Sequence, residues 1–234
     1  LGDVYKRQLL HCMIKKTLNQ NAKYAQEFMK TIETDFIFSD KPINRFKVDS
    51  AENKETSISK NGLLNDLKTK INSIENCNLK NNSKNLVLGE GNINADVMLI
   101  GETPGEIEDE TGLCFQGEVG NLLNKMLLAI NIKRENIYTT YSINFRPPED
   151  RKPTGQEIKR YAIFLKEHIA IIDPKILILM GSTAMEAITG LSKISNERGK
   201  WKEIILKNKT IPIIISFSPS YLIRFPENKK FSWE

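Results

Sequence analysis

From about residue 86 the chain alternates between two hydrophobic patterns. One is a short run in which nearly every position is apolar, β-branched or aromatic. Val97-Met98-Leu99-Ile100, Ile137-Tyr138-Thr139-Thr140-Tyr141, Ile176-Leu177-Ile178-Leu179-Met180 and Ile211-Pro212-Ile213-Ile214-Ile215 are of this kind. Such runs are too short for helices and suit strands buried on both faces. The other is a longer stretch with apolar residues at every third or fourth position, which gives a helix one apolar stripe. The pattern predicts neighbouring strands at 95–100, 137–142, 176–179 and 211–215. Helices are expected over 121–130, 154–172 and 182–188. Thr154-Gly155-Gln156-Glu157 has the form of a capping box, and Asp173-Pro174 stops the helix that it opens. Strands alternating with helices imply a parallel sheet covered on both faces. The expected fold class is therefore α/β, a three-layer α/β/α sandwich with a short, mostly parallel sheet.

Two further helical patterns precede this region. One covers 13–38, with Leu18, Ala22, Ala25, Phe28, Met29 and Ile32 in phase; the other covers 59–76, with Leu63, Leu64, Leu67, Ile71 and Ile74. A polar stretch with Pro42 separates them and reads as a linker. Leu1-Gly2-Asp3-Val4-Tyr5-Lys6-Arg7-Gln8 has the look of a translated adapter remnant, with Met13 the expected start. The domain reading is a non-native segment at 1–12, a helical N-terminal extension and linker at 13–58, and the α/β domain at 59–234. His11 falls in the first segment and carries no weight as a ligand.

The chain has 234 residues, 40% of them hydrophobic, enough for one such domain with a real core. No apolar run approaches the roughly 20 residues of a membrane span, so no membrane association is expected. A net charge of +5 mildly favours a polyanionic partner. Three cysteines, Cys12, Cys77 and Cys114, are too few and scattered for a disulfide framework. A cytoplasmic location fits that usage, and a monomer is expected.

The candidate chemistry lies after the first strand. Gly101-Glu102-Thr103-Pro104-Gly105 runs on through Glu108, Asp109, Gly112, Phe115, Gly117 and Gly120 to the next helix. A glycine-rich loop between a strand's carboxyl end and a helix is where open α/β sheets bind ligands. Glycine lets the backbone come close to a flat or charged ligand. Glu102 at the strand tip is placed to act on water or on developing positive charge, and Phe115 to stack on a planar ring. The loop is not a phosphate-binding P-loop, since no Gly-Lys-Ser/Thr follows, nor is it G-x-G-x-x-G. Spacing alone equally allows glycines that merely turn the chain.

Several separated motifs then line up. The stretch 101–123 resembles the first motif of family 4 uracil-DNA glycosylases. Arg146-Pro147-Pro148 with Arg151-Lys152-Pro153, Gly181-Ser182-Thr183-Ala184, Arg198-Gly199-Lys200 and Pro219-Ser220-Tyr221-Leu222-Ile223-Arg224 follow in that family's order. The likeness covers about 59–234, and Phe231-Ser232-Trp233-Glu234 falls where the family usually continues into a helix. The resemblance implies an enzyme that flips uracil out of DNA and cleaves its N-glycosidic bond in base excision repair. By position it implies Glu102 and Ser218 as catalytic residues, and Gly101, Phe115 and Tyr141 as the base site. Arg146, Ser220, Tyr221 and Arg224 are implied as DNA contacts.

The departures from the family pattern shape the expectation. Tyr141 stands where the family usually has an asparagine that reads uracil's amide edge. Ser218 stands where it has a histidine that donates to a uracil carbonyl oxygen. The family also holds an iron–sulfur cluster on four cysteines, of which only Cys77 is present; Ile74, Phe145 and Tyr161 stand at the other positions. No metal ligand set and no cofactor are expected, because Ile and Phe cannot ligate iron. Cys77 is expected to pack, Cys114 to be a small buried hydrophobe, and His168 to be an ordinary helix residue. The expected activity is a uracil-DNA glycosylase with weakened or altered base specificity. The alternatives are a catalytically degenerate DNA-binding module of the same fold and an enzyme acting on a different base.

Overall fold

The computed structural model describes residues 59–207 and 209–232. The helix expected at 13–38, its linker and the segment 1–12 lie outside the described residues. The strands are β1 (Gly89–Gly91), β2 (Val97–Gly101), β3 (Ile137–Tyr141), β4 (Ile176–Met180), β5 (Trp201–Leu206) and β6 (Lys209–Ser216). The helices are α1 (Lys60–Asn72), α2 (Asn78–Asn82), α3 (Glu106–Thr111), α4 (Gly117–Ala129), α5 (Gly155–Ile172), α6 (Ser182–Thr189), α7 (Ile194–Glu197) and α8 (Pro219–Arg224). The sheet order is β1-β3-β2-β4-β6-β5. The four strands expected from the hydrophobic pattern form its parallel centre, β3-β2-β4-β6. Their register brings the ends level, with Gly101 opposite Tyr141 and Met180 opposite Ser216. One continuous carboxyl edge results.

The two outer strands run antiparallel and were not expected. β1 is three residues with a glycine at each end, too short to show a period. β5 alternates, with Trp201, Glu203 and Ile205 exposed, as suits an edge strand with one solvated side.

Side chains of the central strands alternate between two cores. Met98, Ile100, Tyr138, Leu177, Leu179, Ile213 and Ile215 pack with Leu67 and Ile71 of α1, Leu165 and Ile169 of α5, and Met185 of α6. Leu99, Ile137, Tyr141 and Met180 face the other way, onto Leu123 and Leu127 of α4. That alternation across buried strands produces the three layers expected from the sequence. The start of α5 is the expected capping box. Thr154 Oγ1 accepts from the Glu157 N–H at 3.3 Å, and Glu157 Oε2 accepts from the Thr154 N–H at 2.7 Å. Asp173 ends the helix in the left-handed conformation. α4 begins earlier than the apolar pattern indicated, so Gly117 and Gly120 are helical and not part of the loop. Among the described residues no helix is long and apolar enough to cross a membrane.

Candidate active site

The chain leaves β2 towards β3 on one side and leaves β4 towards β6 on the other. A crevice therefore opens beyond the carboxyl ends of β2 and β4, where doubly wound sheets bind ligands. Glu102 is the first residue past β2, and it sits in that crevice. Its carbonyl oxygen accepts from Ser142 Oγ at 2.5 Å and from the Ile143 N–H at 3.3 Å. Its carboxylate Oε1 accepts from Ser182 Oγ at 3.2 Å and from the Thr183 N–H at 3.1 Å, both in the first turn of α6. Main chain and side chain are thus held from opposite flanks.

A cavity of about 540 Å³ opens there. It is lined by eight of the residues expected from the sequence: Gly101, Glu102, Phe115, Tyr141, Ser218, Ser220, Tyr221 and Arg224. A second cavity of about 420 Å³ shares the wall formed by Glu102, Ser182, Ser218 and Tyr221. Asp150, Arg151, Lys152, Ser182 and Thr183 also line the first cavity, although the sequence reading gave them no role. The motifs around 150–153 and 181–184 were visible in order, but nothing in their composition said what they would touch.

Phe115 and Tyr141 arrive in the cavity paired with each other. Their rings stack at 4.8 Å with 29° between planes. The Arg134 guanidinium lies 5.5 Å from the centre of the Phe115 ring. Only 5% of Phe115 and 4% of Tyr141 is exposed, and one face of the Phe115 ring is taken by Tyr141. The Tyr141 hydroxyl accepts from the Phe115 N–H at 3.0 Å, which ties the two residues together a second time. Burial pushes the Tyr141 phenol well above its ordinary ionisation range. Gly101 makes the arrangement possible, since a Cβ there would lie 2.7 Å from Phe115 Cζ and 2.8 Å from Tyr141 Cδ1.

Ser218 caps α8, with Pro219 in the first turn. Its Oγ accepts from the Tyr221 N–H at 3.3 Å and lies 3.1 Å from Ser220 Oγ. Ser218 is 4% exposed but still borders both cavities. Arg146, expected as a DNA contact, does not line the cavity. Its Nε and Nη2 bind the two Asp150 oxygens at 2.8 and 2.9 Å, a bidentate pair that matches its charge internally. That pair holds Asp150 below the usual carboxylate range. Lys152 and Arg224 border the cavity and have no ion pair among the described residues.

Two acidic residues of the glycine loop turn out to be braces. Glu108 is buried; Oε2 accepts from the Gly105 N–H at 3.1 Å and Oε1 from the Gln116 N–H at 2.9 Å, closing the loop around α3. Asp109 is buried and accepts from the Lys84 and Asn85 N–H groups at 3.0 and 3.1 Å. Cys114 is fully buried, and burial pushes its thiol up, away from reactivity. His168 is buried too, with Nε2 3.0 Å from the Tyr138 hydroxyl, so it packs within the core.

Cys77, Phe145 and Tyr161 are buried in the main core, and Ile74 packs against it. Cys77 Sγ lies 3.3 Å from the Tyr161 hydroxyl, and the Phe145 and Tyr161 rings meet edge to face at 6.3 Å. One thiol and one phenol, whose ionisation burial and Cys77 push up, do not make the four-thiolate set of an iron–sulfur cluster. Among the described residues no group of three or more His, Cys, Asp or Glu side chains is arranged to hold a metal ion.

Comparison with known proteins fits this geometry. The family model described as "Uracil DNA glycosylase superfamily" matches residues 88–234. The chain is 37% identical over 155 residues to the Type-4 uracil-DNA glycosylase of Thermotoga maritima, covering 65% of this chain and 79% of that protein. It is 32% identical over 169 residues to the Type-4 enzyme of Archaeoglobus fulgidus, covering 70% and 85%. Against the Type-4 enzyme of Pyrobaculum aerophilum it is 30% identical over 161 residues, covering 67% and 82%.

Proposed function

The chain belongs to the uracil-DNA glycosylase superfamily, and from that membership we propose that it hydrolyses the N-glycosidic bond of uracil in DNA, the opening step of base excision repair. The observation that supports this reading is Glu102, a carboxylate held through one oxygen at the mouth of a cavity large enough for an extruded nucleoside. In the reaction the C1′–N1 bond breaks and both electrons pass to the base. The sugar gains positive charge, which Glu102 is placed to stabilise. Water adds to C1′ from the carboxylate side and loses its proton to the carboxylate or to solvent. Ser218 Oγ is the available donor towards a base carbonyl oxygen. Lys152 and Arg224 are the cations left for DNA phosphates. On this reading DNA is the partner, a single copy carries the whole site, no cofactor takes part, and the enzyme works in the cytoplasm.

We also infer weakened or altered base discrimination. The support is the Phe115–Tyr141 pair, in which each ring covers the other and the Tyr141 hydroxyl is spent on the Phe115 amide. A base must displace one ring to stack on the other. The same observation favours a second reading, a module that holds DNA without efficient excision. Single-turnover release of uracil from single-stranded DNA, with protein in excess, tests the proposal. Slow release that Glu102→Gln abolishes is expected. Absence of release from protein that binds the same DNA would overturn the hydrolase reading in favour of the binding module. Release of another base in place of uracil would assign the enzyme a different substrate.

A further inference from the structure

Helix α6 begins without a side-chain cap of its own. Its N-cap is Gly181, which has no side chain and stands at φ +102°. The first turn of a helix leaves N–H groups without intrahelical partners, and an acceptor from elsewhere must meet them. Here the acceptor comes from a different strand. Glu102 Oε1 takes the Thr183 N–H at 3.1 Å and the Ser182 hydroxyl at 3.2 Å, across 80 residues of sequence. Gly181 leaves room for this. A Cβ there would lie 2.2 Å from Glu102 Cδ and 2.6 Å from Oε2. The Gly181 N–H is itself bound to Ser216 O at 2.9 Å, so the cradle is anchored to β6.

We propose that Gly181, Ser182 and Thr183 are the positioning residues of the reaction: they fix the Glu102 carboxylate through Oε1 and leave Oε2 to face the reacting sugar. The inference rests on the reading of Glu102 as the catalytic carboxylate. No protein donor reaches Oε2 among the described residues. One oxygen therefore orients the group while the other is free to act. A carboxylate with no such tether samples several rotamers, and a misplacement of about 1 Å is enough to slow catalysis about 100-fold. Ser182 and Thr183 act only through Glu102; neither has to touch substrate.

Ser182→Ala removes one hydrogen bond to a charged acceptor without touching the fold of α6. The expected result is single-turnover excision about 10- to 100-fold slower, with the dissociation constant for uracil-containing DNA within about twofold of wild type. Ser182→Thr keeps the hydroxyl and is expected to restore the rate to within about threefold. Slowing that tracks lost DNA affinity, or no slowing at all while Glu102→Gln is inactive, overturns the inference. A stability cycle with Glu102→Ala and Ser182→Ala keeps the two readings apart should wild type release no uracil. Coupling of about fivefold or more in the unfolding equilibrium constant shows that Ser182 holds Glu102, whatever the reaction. Coupling within twofold overturns the cradle itself. Uracil release absent with the coupling intact overturns the proposed reaction and leaves the cradle standing.

Discussion

Replacing Tyr141 by asparagine tests the proposed effect of the Phe115–Tyr141 pair. The substitution removes a ring stacked at 4.8 Å on Phe115 and the hydroxyl that accepts the Phe115 N–H. Tyr141 is 4% exposed, so the change is a large-to-small substitution in a core, which costs about 3–5 kcal/mol for aromatic residues. The site borders a cavity of about 540 Å³, so water can enter and satisfy the amide, which holds the cost near the lower end. About 3 kcal/mol in a domain of this size lowers Tm by roughly 6–12 °C, which leaves the protein folded at 25 °C. Against that cost, one face of Phe115 becomes free. Base–aromatic stacking contributes about 1–3 kcal/mol, and the asparagine amide presents both a donor and an acceptor to the base edge. If the stacking term is expressed in the transition state, single-turnover uracil excision rises about 5- to 160-fold. The companion change Ser218→His adds a longer donor towards the base. The double variant is expected to exceed the product of the single effects, since both residues line one cavity. The assay is uracil release from single-stranded DNA by protein in excess, with thermal unfolding measured on each variant. A wild type already as fast as Tyr141→Asn, or a folded Tyr141→Asn that gains neither rate nor uracil affinity, would refute the covered-pocket argument.

Three other predictions rest on separate parts of the molecule. Arg224→Ala should lower the slope of log affinity for DNA against log salt by about one, whereas Arg146→Ala, whose charge Asp150 already matches, should change it by clearly less; equal slopes would refute the assignment of Arg146 to an internal pair. Protein prepared without oxygen should contain no stoichiometric iron and show no thiolate–iron charge-transfer absorption, because Ile74 and Phe145 offer no ligand atom beside Cys77 and Tyr161. Burial pushes His168 down to about 4, so between pH 6.5 and 4 the unfolded chain takes up a proton that the folded chain refuses. Stability is complete above pH 6.5 and is lost as pH falls through 4, by on the order of 3 kcal/mol. Urea unfolding across that window should show the loss, and His168→Gln should flatten it; an unchanged slope would refute the assignment.

The sequence by itself determined the centre of the sheet and pointed to the place of the candidate site. The runs at 97–100, 137–141, 176–180 and 211–215 are apolar on both faces, and a strand with two buried faces has few other places to go. Thr154 and Glu157 fix a helix start because both partners of the capping box lie three residues apart. The loop after β2 was legible as a candidate ligand site since its glycines and Glu102 are local features. The edge strands were not legible: three residues of β1 carry no period, and β5 is defined by the partner that it pairs with. The character of the site lies beyond local sequence for the same reason. Phe115 and Tyr141 are 26 residues apart and Glu102 and Ser182 are 80 apart, and no pattern along the chain says which way those side chains point. Arg146 reads as a free cation until the turn at 147–150 brings Asp150 back onto it. Local periodicity chooses the elements, because burial acts on each strand and helix in turn. Only the pairing of the strands into one sheet brings the ends of β2, β3, β4 and β6 together, and that pairing decides which polar groups meet and which ring covers which.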